Sequence, residues 1–302
     1  MTSEYSGMNI LVTGGLGFIG SSVSHELVAR GANVTILDNL DPRYGGNIFN
    51  IRSIVDRVTV IQGDIRDEAL CSSLVVGKHA IFHFAAQVSY IDSSSVPFED
   101  LDINCRGTLN LLEACKKWNP SVKAILASSR LVYGKISQPP VREDHPVNPL
   151  SIYAIHKLTC EKYFQMYRAL FGIDTVVVRI TNPYGIRQQI KHSKYSLPGW
   201  FLRLALEGKN IQIFGDGMQR RDYIYIDDLV RIFTSIMEKG VPGETYNAGL
   251  GRSYHFRDMV ETIIRSVGRG SIEYVDWPKD YERVETGDYE TDISKLTQAI
   301  HW

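Results

Sequence analysis

Cysteine is scarce: Cys71, Cys105, Cys115 and Cys160 are the four in 302 residues, with no C-x-x-C pair and no histidine spacing suited to zinc. That excludes a disulfide scaffold or zinc ribbon, so free thiols and no metal are expected. An excess of one charge is missing as well. Thirty-three Lys plus Arg face 34 Asp plus Glu, a net charge of -1, so no overall field draws the chain to nucleic acid or an anionic membrane. A local anion site is still allowed. Apolar runs are short, such as Asn9 to Val12 and Thr175 to Val178, far from the ~20 residues of a membrane span. Met1 to Gly7 is polar and lacks the apolar stretch of a secretory signal, which makes the cytoplasm the expected address. Internal repeats and low-complexity tracts are also lacking. What is present is a 44 % hydrophobic, 22 % charged chain, too apolar for disorder and long enough for one large domain or two lobes.

Over the first two thirds, apolar runs of four to six residues alternate with amphipathic stretches of twelve to twenty, the pattern of strand and crossover helix. The fold class expected is α/β, a doubly wound parallel sheet of Rossmann type with a smaller C-terminal α/β lobe. Strands are expected at about Asn9 to Val12, Asn33 to Leu37, Val58 to Gln62, Ala80 to Phe84, Lys123 to Ala127 and Asp174 to Ile180, all six fully buried. Helices are expected over Gly17 to Arg30, Pro97 to Trp118 and Ser151 to Phe171, with Gly31 and Gly172 as stops. After Asn182, Pro183, Pro198, Gly208, Gly215, Gly217, Pro242 and Gly243 cut the chain into shorter elements. Residues 1–181 are therefore expected to form the sheet domain and 182–302 mainly the second lobe, with segments from about 222–250 returning to the sheet. Further helices are expected at about Ile226 to Glu238 and Phe256 to Val267, and strands around Ile211 to Phe214 and Thr245 to Ala248.

Directly after the first expected strand stands Thr13-Gly14-Gly15-Leu16-Gly17-Phe18-Ile19-Gly20, a G-x-x-G-x-x-G run in which a helix opens. Glycine is needed there because a side chain would hold the backbone away from a pyrophosphate, while the helix N-terminus supplies N–H groups and positive potential. Eighteen residues beyond Gly20, Asp38 ends the second strand, where an acid accepts hydrogen bonds from a ribose 2′-hydroxyl and repels a 2′-phosphate. NAD is favoured over NADP, and Arg43, a few residues on, leaves the alternative open. Strand, glycines, helix, second strand and acid in that order outweigh the plain alternative, that the glycines serve tight packing.

Tyr153 and Lys157 lie four apart, on one face of a helix. A phenol titrates near ~10, and an adjacent ammonium stabilises the phenolate that a neutral-pH base requires. Tyr153 is the one tyrosine of 16 with Lys at that distance. Ser128-Ser129 lie 24 to 25 residues upstream at the end of the fifth expected strand, and ligands in such sheets sit at those strand ends. A surface Tyr-Lys contact is the competing explanation. His145 and His156 are read as bystanders, the latter because a residue between Tyr153 and Lys157 points away from their shared face.

With these residues in hand, the chain from about Met8 to Trp302 resembles the extended short-chain dehydrogenase/reductase family, in its nucleotide-sugar epimerase and dehydratase branch. Further marks are Asp38-Asn39-Leu40, Gly63-Asp64-Ile65, His83-Phe84-Ala85-Ala86-Gln87, Asn104-Cys105-Arg106-Gly107-Thr108, Val132-Tyr133-Gly134, Arg179, Asn182-Pro183-Tyr184-Gly185, Gly215-Asp216-Gly217, Arg221-Asp222-Tyr223 and Asp292-Ile293-Ser294-Lys295. The resemblance implies NAD on Gly14, Gly17, Phe18, Ile19 and Gly20, with Asp38 at the ribose, Asp64 and Ile65 beside the adenine, and Asn39 also in the cofactor site. Phe84, Ala85, Ala86, Asn104, Tyr153 and Lys157 complete the implied cofactor site. Ser129 aligns with the family's catalytic Ser or Thr, beside Tyr153 and Lys157. Gln87, Ser128, Arg130, Asn182, Leu197, Arg221, Arg283 and Tyr289 are implied at the nucleotide sugar. Arg221 and Arg283 would act as guanidinium clamps, with ion pairs inside their own charged runs as the competing explanation. Base recognition falls to the loop around Ser193 to Trp200, and a UDP-sugar is the nucleotide sugar favoured.

Family dehydratases carry an Asp-Glu pair after the catalytic Ser or Thr, and decarboxylases keep the Glu; here Arg130-Leu131 stand there. Without an acid for elimination, epimerisation through a transient 4-keto sugar is the reaction implied, on a nucleotide-linked hexose or uronic acid. A decarboxylase or keto-sugar reductase of the same fold stays open, and a non-catalytic dinucleotide-binding regulator is the remaining alternative. Val88 and Arg130 replace the Lys and Ala of galactose-type epimerases, which puts the sugar in question. Tyr289 aligns with a gate beside the sugar ring. Relatives usually continue through one more helix beyond the position of His301-Trp302. A homodimer is expected through Pro97 to Trp118 and Ser151 to Phe171, where Leu109, Leu112, Leu158 and Phe164 serve an interface or the core equally well.

Overall fold

A computed structural model describes residues 4–41, 43–194 and 197–302 of the chain. The first half runs β1 (Asn9–Thr13), α1 (Phe18–Ala29), β2 (Asn33–Asp38), β3 (Val58–Gln62), α2 (Glu68–Val75), β4 (Ala80–His83), α3 (Pro97–Asp100), α4 (Gly107–Trp118), β5 (Lys123–Ser129), α5 (Ile152–Phe171) and β6 (Asp174–Ile180). The second half adds β7 (Asn182–Tyr184), α6 (Leu197–Leu206), β8 (Asn210–Phe214), β9 (Arg220–Tyr225), α7 (Ile226–Lys239), β10 (Thr245–Ala248), β11 (Ser253–His255), α8 (Phe256–Val267), β12 (Ser271–Val275), α9 (Lys279–Arg283) and α10 (Ser294–Ile300). Among the described residues no helix is long and apolar enough to cross a membrane.

The central sheet has seven strands in the order β10-β6-β5-β4-β1-β2-β3, all paired in parallel. Ile10, Leu11 and Val12 show why β1 reads as an unbroken apolar run: helices cover both faces, and successive side chains enter opposite cores. Ile10 and Val12 join the cluster with Leu27, Leu229 and Phe233, while Leu11 joins Leu112, Phe164 and Ile81 on the other face. The expectation that six strands are fully buried fails at β3, whose residues are half-buried or exposed; it is the sheet's edge and has one neighbour. Leu112 and Phe164 are wholly buried in the second cluster, so they hold this chain together and offer nothing to another copy. The cysteines are all buried thiols.

α5 is bounded as its chemistry requires. Ser151 Oγ accepts from Ala154 N at 3.2 Å to open it, and Gly172 ends it in the left-handed region at φ 73°. The single helix expected over Pro97 to Trp118 is interrupted by a π-helical turn at Leu101–Arg106. The wider turn sends Asn104 inward, where Nδ2 donates to Asp100 Oδ1 and Gln87 O. Near the N-terminus the segment read as merely polar holds Tyr5, buried, donating to Thr234 O at 2.7 Å; Met1 to Ser3 lie outside the described residues.

β10 returns to pair with β6, and α7 packs on α1, so this part of the second half completes the sheet layers. The rest stands over the carboxyl ends of the strands. It consists of a three-stranded sheet β11-β9-β7 and a two-stranded sheet β12-β8, with α6 and α8 closing a small core around Phe201, Ile211, Ile213 and Val260.

Candidate active site

A cleft of about 670 Å³ runs along the carboxyl ends of β1, β2, β4, β5 and β6 and under the second lobe. At one end lies the glycine turn. Gly14 has φ +69°, and a Cβ there would sit 2.6 Å from Ala85 N; one on Gly20 would sit 2.2 Å from Gly14 O. The turn is thus closed against any side chain. It leads into α1, whose cap residue Gly17 offers no side-chain cap to the helix's first N–H groups, so Phe18, Ile19 and Gly20 present an anion cradle that fits a pyrophosphate. Asp38, buried, accepts from Leu16 N and Leu40 N at 3.0 and 2.9 Å. Burial raises its pKa, and the two backbone donors offset part of that. Arg43, the residue that left a 2′-phosphate open, has its guanidinium on Asp41 and Glu99, each at 2.6 Å. Arg66 grips Asp64 at 2.7 Å and, with burial opposing, holds its carboxyl down at about 2; Asn39 Nδ2 donates to the same carboxylate. Ile65, Phe84, Ala85 and Ala86 complete this end.

In the middle, Ser128, Ser129, Tyr153 and Lys157 line the cleft together. Ser129 closes β5 and its Oγ accepts from Leu131 N at 3.2 Å. Among the described residues Lys157 Nζ has no hydrogen-bond partner, although the residue is only 5 % exposed; burial lowers its pKa. Lys157 was expected to bring the phenol toward phenolate. Instead burial dominates and, with the charge of Asp100 adding to it, pushes Tyr153 above its ordinary value; hydrogen bonding with Ser129 works the other way. Beneath the site His83 bridges Thr13 Oγ1 at 2.7 Å and Thr108 Oγ1 at 3.0 Å, clamping β1, β4 and α4. Burial and the nearby Lys157 lower its pKa to about 3, so it stays neutral.

The far end is built from distant segments: Asn182 on β7, Leu197 on α6, Arg221 and Tyr223 on β9, and Trp277, Glu285 and Thr286. Arg130 joins them from the turn after β5, donating to Thr286 Oγ1 at 2.9 Å. Arg221 pairs with Glu285 at 2.5 Å, not with Asp222. Asp222 instead points inward and accepts from Leu250 N, Gly251 N and Thr291 N at 2.9, 3.1 and 3.1 Å, pinning the returning segment beneath Arg221. Tyr195 and Ser196 of the expected base-recognition loop lie outside the described residues.

Four expected site residues are not in the cleft lining. Gln87 is fully buried and bonds the backbone of Ser89, and Asn104 is spent on Gln87 and Asp100; both brace the loop after β4 from behind. Tyr289 is fully buried beside Val132, Tyr133 and Val141, on the far side of the Arg130 guanidinium, and so gates nothing directly. Arg283 projects from α9 with its side chain 77 % exposed, facing Asp280 at 3.9 Å. One residue the sequence reading passed over is Glu161, fully buried, which accepts from Ser128 Oγ at 2.5 Å and from Arg179 Nη2 at 2.7 Å. Its signal was present: it stands one further helical step beyond Tyr153 and Lys157 on the same face.

The model of the NAD dependent epimerase/dehydratase family matches residues 10–249. A putative UDP-glucose 4-epimerase of Methanocaldococcus jannaschii is 35 % identical, over 90 % of this chain and 87 % of that one. A dTDP-glucose 4,6-dehydratase of Streptomyces niveus is 32 % identical, over 87 % and 79 %. In structure, the UDP-glucose 4-epimerase of Thermotoga maritima with UDP-glucose superposes with a TM-score of 0.90 at 32 % identity, covering 98 % of this chain and 93 % of the other. A dinucleotide cradle at one end of the cleft, a Ser, Tyr and Lys constellation at its middle and this breadth of similarity agree: the chain belongs to the NAD dependent epimerase/dehydratase family.

Proposed function

We propose that the protein is an NAD-dependent nucleotide-sugar 4-epimerase. The observation that carries this reading is the replacement of any acid beside Ser129 by the buried Arg130, with the proton-transfer residues Ser129, Tyr153 and Lys157 otherwise together in the cleft. Of the described carboxylates lining that end, Glu285 is committed to Arg221 and to Gly287 N, and Glu273 is exposed on β12 and accepts from Gln212 Nε2, so neither takes the place of an acid beside Ser129. When bound, NAD supplies the hydride acceptor, and its ring cation adds to the Lys157 charge that favours phenolate. Phe18, Ile19 and Gly20 would hold the pyrophosphate, Asp38 the adenosine ribose and Asp64 with Ile65 the adenine. Tyr153 takes the proton of the C4 hydroxyl as the carbinol becomes a ketone, with Ser129 hydrogen-bonding the same oxygen. Lys157 meets that charge from beneath. Once the ketone had turned in the cleft, Tyr153 would return the proton to the same oxygen, and reduction from the opposite face would invert C4. Asn182 and Arg221 hold the nucleotide end throughout.

The test is to incubate the protein with UDP-, dTDP-, CDP- and GDP-sugars without added NAD(H), followed by mass spectrometry and NMR. An isomer of unchanged mass is expected. A product lighter by water or carbon dioxide overturns the reading in favour of a dehydratase or decarboxylase. We further propose a homodimer through α3 with the π-helical turn after it and α5, where Phe98, Leu101, Ile155 and Met166 are exposed. Sedimentation should show a dimer that Ile155→Asp weakens.

A further inference from the structure

The far end of the cleft brings two guanidiniums, Arg130 and Arg221, close together. Arg130 is 9 % exposed, and of its five N–H groups the one with a hydrogen-bond acceptor among the described residues is on Nη1, bound to Thr286 Oγ1 at 2.9 Å. The face of Tyr289 lies against the guanidinium, 5.1 Å from the ring centroid, and Tyr90 is near enough for its charge to act on it. The hydroxyl of Tyr223, also lining the cleft, is buried without a hydrogen-bond partner among the described residues. Arg221 is close enough to repel Arg130; burial first and that like charge second pull the Arg130 pKa down to about 10, still cationic at neutral pH. Glu285 is paired with Arg221 at 2.5 Å, and its charge also favours the Arg130 cation without a hydrogen bond to it, so one carboxylate faces two guanidiniums.

A buried cation left this way is costly unless an anion meets it. The molecule itself shows what a structural buried arginine looks like: Arg179 has Nε and Nη2 on both oxygens of Glu161, at 2.7 to 3.2 Å. Arg130 has no such carboxylate partner among the described residues, and it directly follows Ser129 in the chain. We propose that Arg130 and the Tyr223 hydroxyl form a subsite for a carboxylate on the sugar, making the preferred substrate a nucleotide-linked uronic acid. C6 of a hexose hangs from C5, the neighbour of C4, so a C6 carboxylate lies within reach of a guanidinium beside the reacting carbon. The inference rests on the epimerase reading and names the sugar class for that same site.

The diphosphate is the other anion Arg130 could meet, and calorimetric binding to the NAD-loaded protein separates the two. UDP-glucuronate, UDP-glucose and UDP are the probes, the first two differing at C6. UDP-glucuronate is expected to bind about ten- to a hundredfold more tightly than UDP-glucose, the worth of a charge-assisted bidentate contact. Arg130→Met should abolish that advantage and leave UDP and UDP-glucose little changed, while Arg130→Lys keeps part of it. Thermal unfolding checks that the variants fold; should Arg130→Met not fold, the wild-type preference and Arg130→Lys decide. Equal binding of the two sugars, absent binding included, overturns the inference, as does an Arg130→Met loss shared equally by all three probes, which assigns Arg130 to the diphosphate. The epimerase reading is judged separately, by the mass of the product in the four-nucleotide panel.

Discussion

The two ends of the cleft are made in different ways. The cofactor end is local: Thr13 to Gly20 and Asp38 come from one strand, one turn, one helix and the next strand. The sugar end is assembled from Arg130, Asn182, Leu197, Arg221 and Glu285, and its shape depends on buried anchors such as Asp222 that touch no ligand. A locally coded site is broken by a change in the turn itself. An assembled site is broken from behind, and its specificity can shift while its chemistry persists.

Substitutions can push on that contrast. The largest effect is expected where the ends meet: Tyr153→Phe removes the proton acceptor and should lower kcat by about 10²- to 10⁴-fold, with NAD and nucleotide-sugar binding by calorimetry nearly unchanged. Equal loss of cofactor affinity would make Tyr153 structural. Gly20→Ala attacks the cofactor end alone. Its Cβ meets backbone at 2.2 Å, and at ~1–3 kcal/mol of overpacking NAD titration should show up to a hundredfold weaker binding. Asp222→Asn attacks the sugar end alone: three backbone donors lose their charged acceptor, so KM for the sugar should rise about tenfold with NAD affinity intact. A fall in NAD affinity as well would show the ends to be mechanically coupled.

The smallest effect per step is a pH slope shared by both ends. His83 is held neutral, with a pKa near 3 against 6.5 for the exposed side chain. The native state then resists protonation while the unfolded chain accepts it. Stability from this residue is complete above pH 6.5 and is lost as pH falls toward 3, by at most about 1.4 kcal/mol per pH unit. Denaturant titrations of His83→Gln should lack that part of the slope, and an unchanged slope would place the acid sensitivity in other groups.

Much of the cofactor end was legible beforehand because its determinants are neighbours in the chain. β1, the glycine turn, α1, β2 and Asp38 follow in order, and helical spacing alone puts Tyr153 and Lys157 on one face. The α4 region was less legible: the π-helical turn at Leu101–Arg106 is stabilised by Asn104 reaching Gln87 and Asp100, a contact no periodicity reveals. Asn104 and Gln87 carry polar amides that suit a ligand, yet the fold uses them on backbone, Asn104 on that of Gln87 and Gln87 on that of Ser89. Tyr289 and Arg283 are six residues apart, and packing sends one into a buried cluster and the other into solvent.

By itself the sequence determined the parallel sheet, the dinucleotide turn with its strand-end acid, and the tyrosine-lysine face, since each depends on spacing within one or two adjacent elements. Tertiary structure alone decided that Tyr153 is raised by burial despite its lysine neighbour, that Arg43 is occupied by Asp41 and Glu99, and that Arg130 lies buried with Thr286 as its single hydrogen-bond acceptor among the described residues. The physical reason is that desolvation and charge pairing depend on whatever chain packs nearby. For Arg130 that chain is more than 150 residues away, at Thr286.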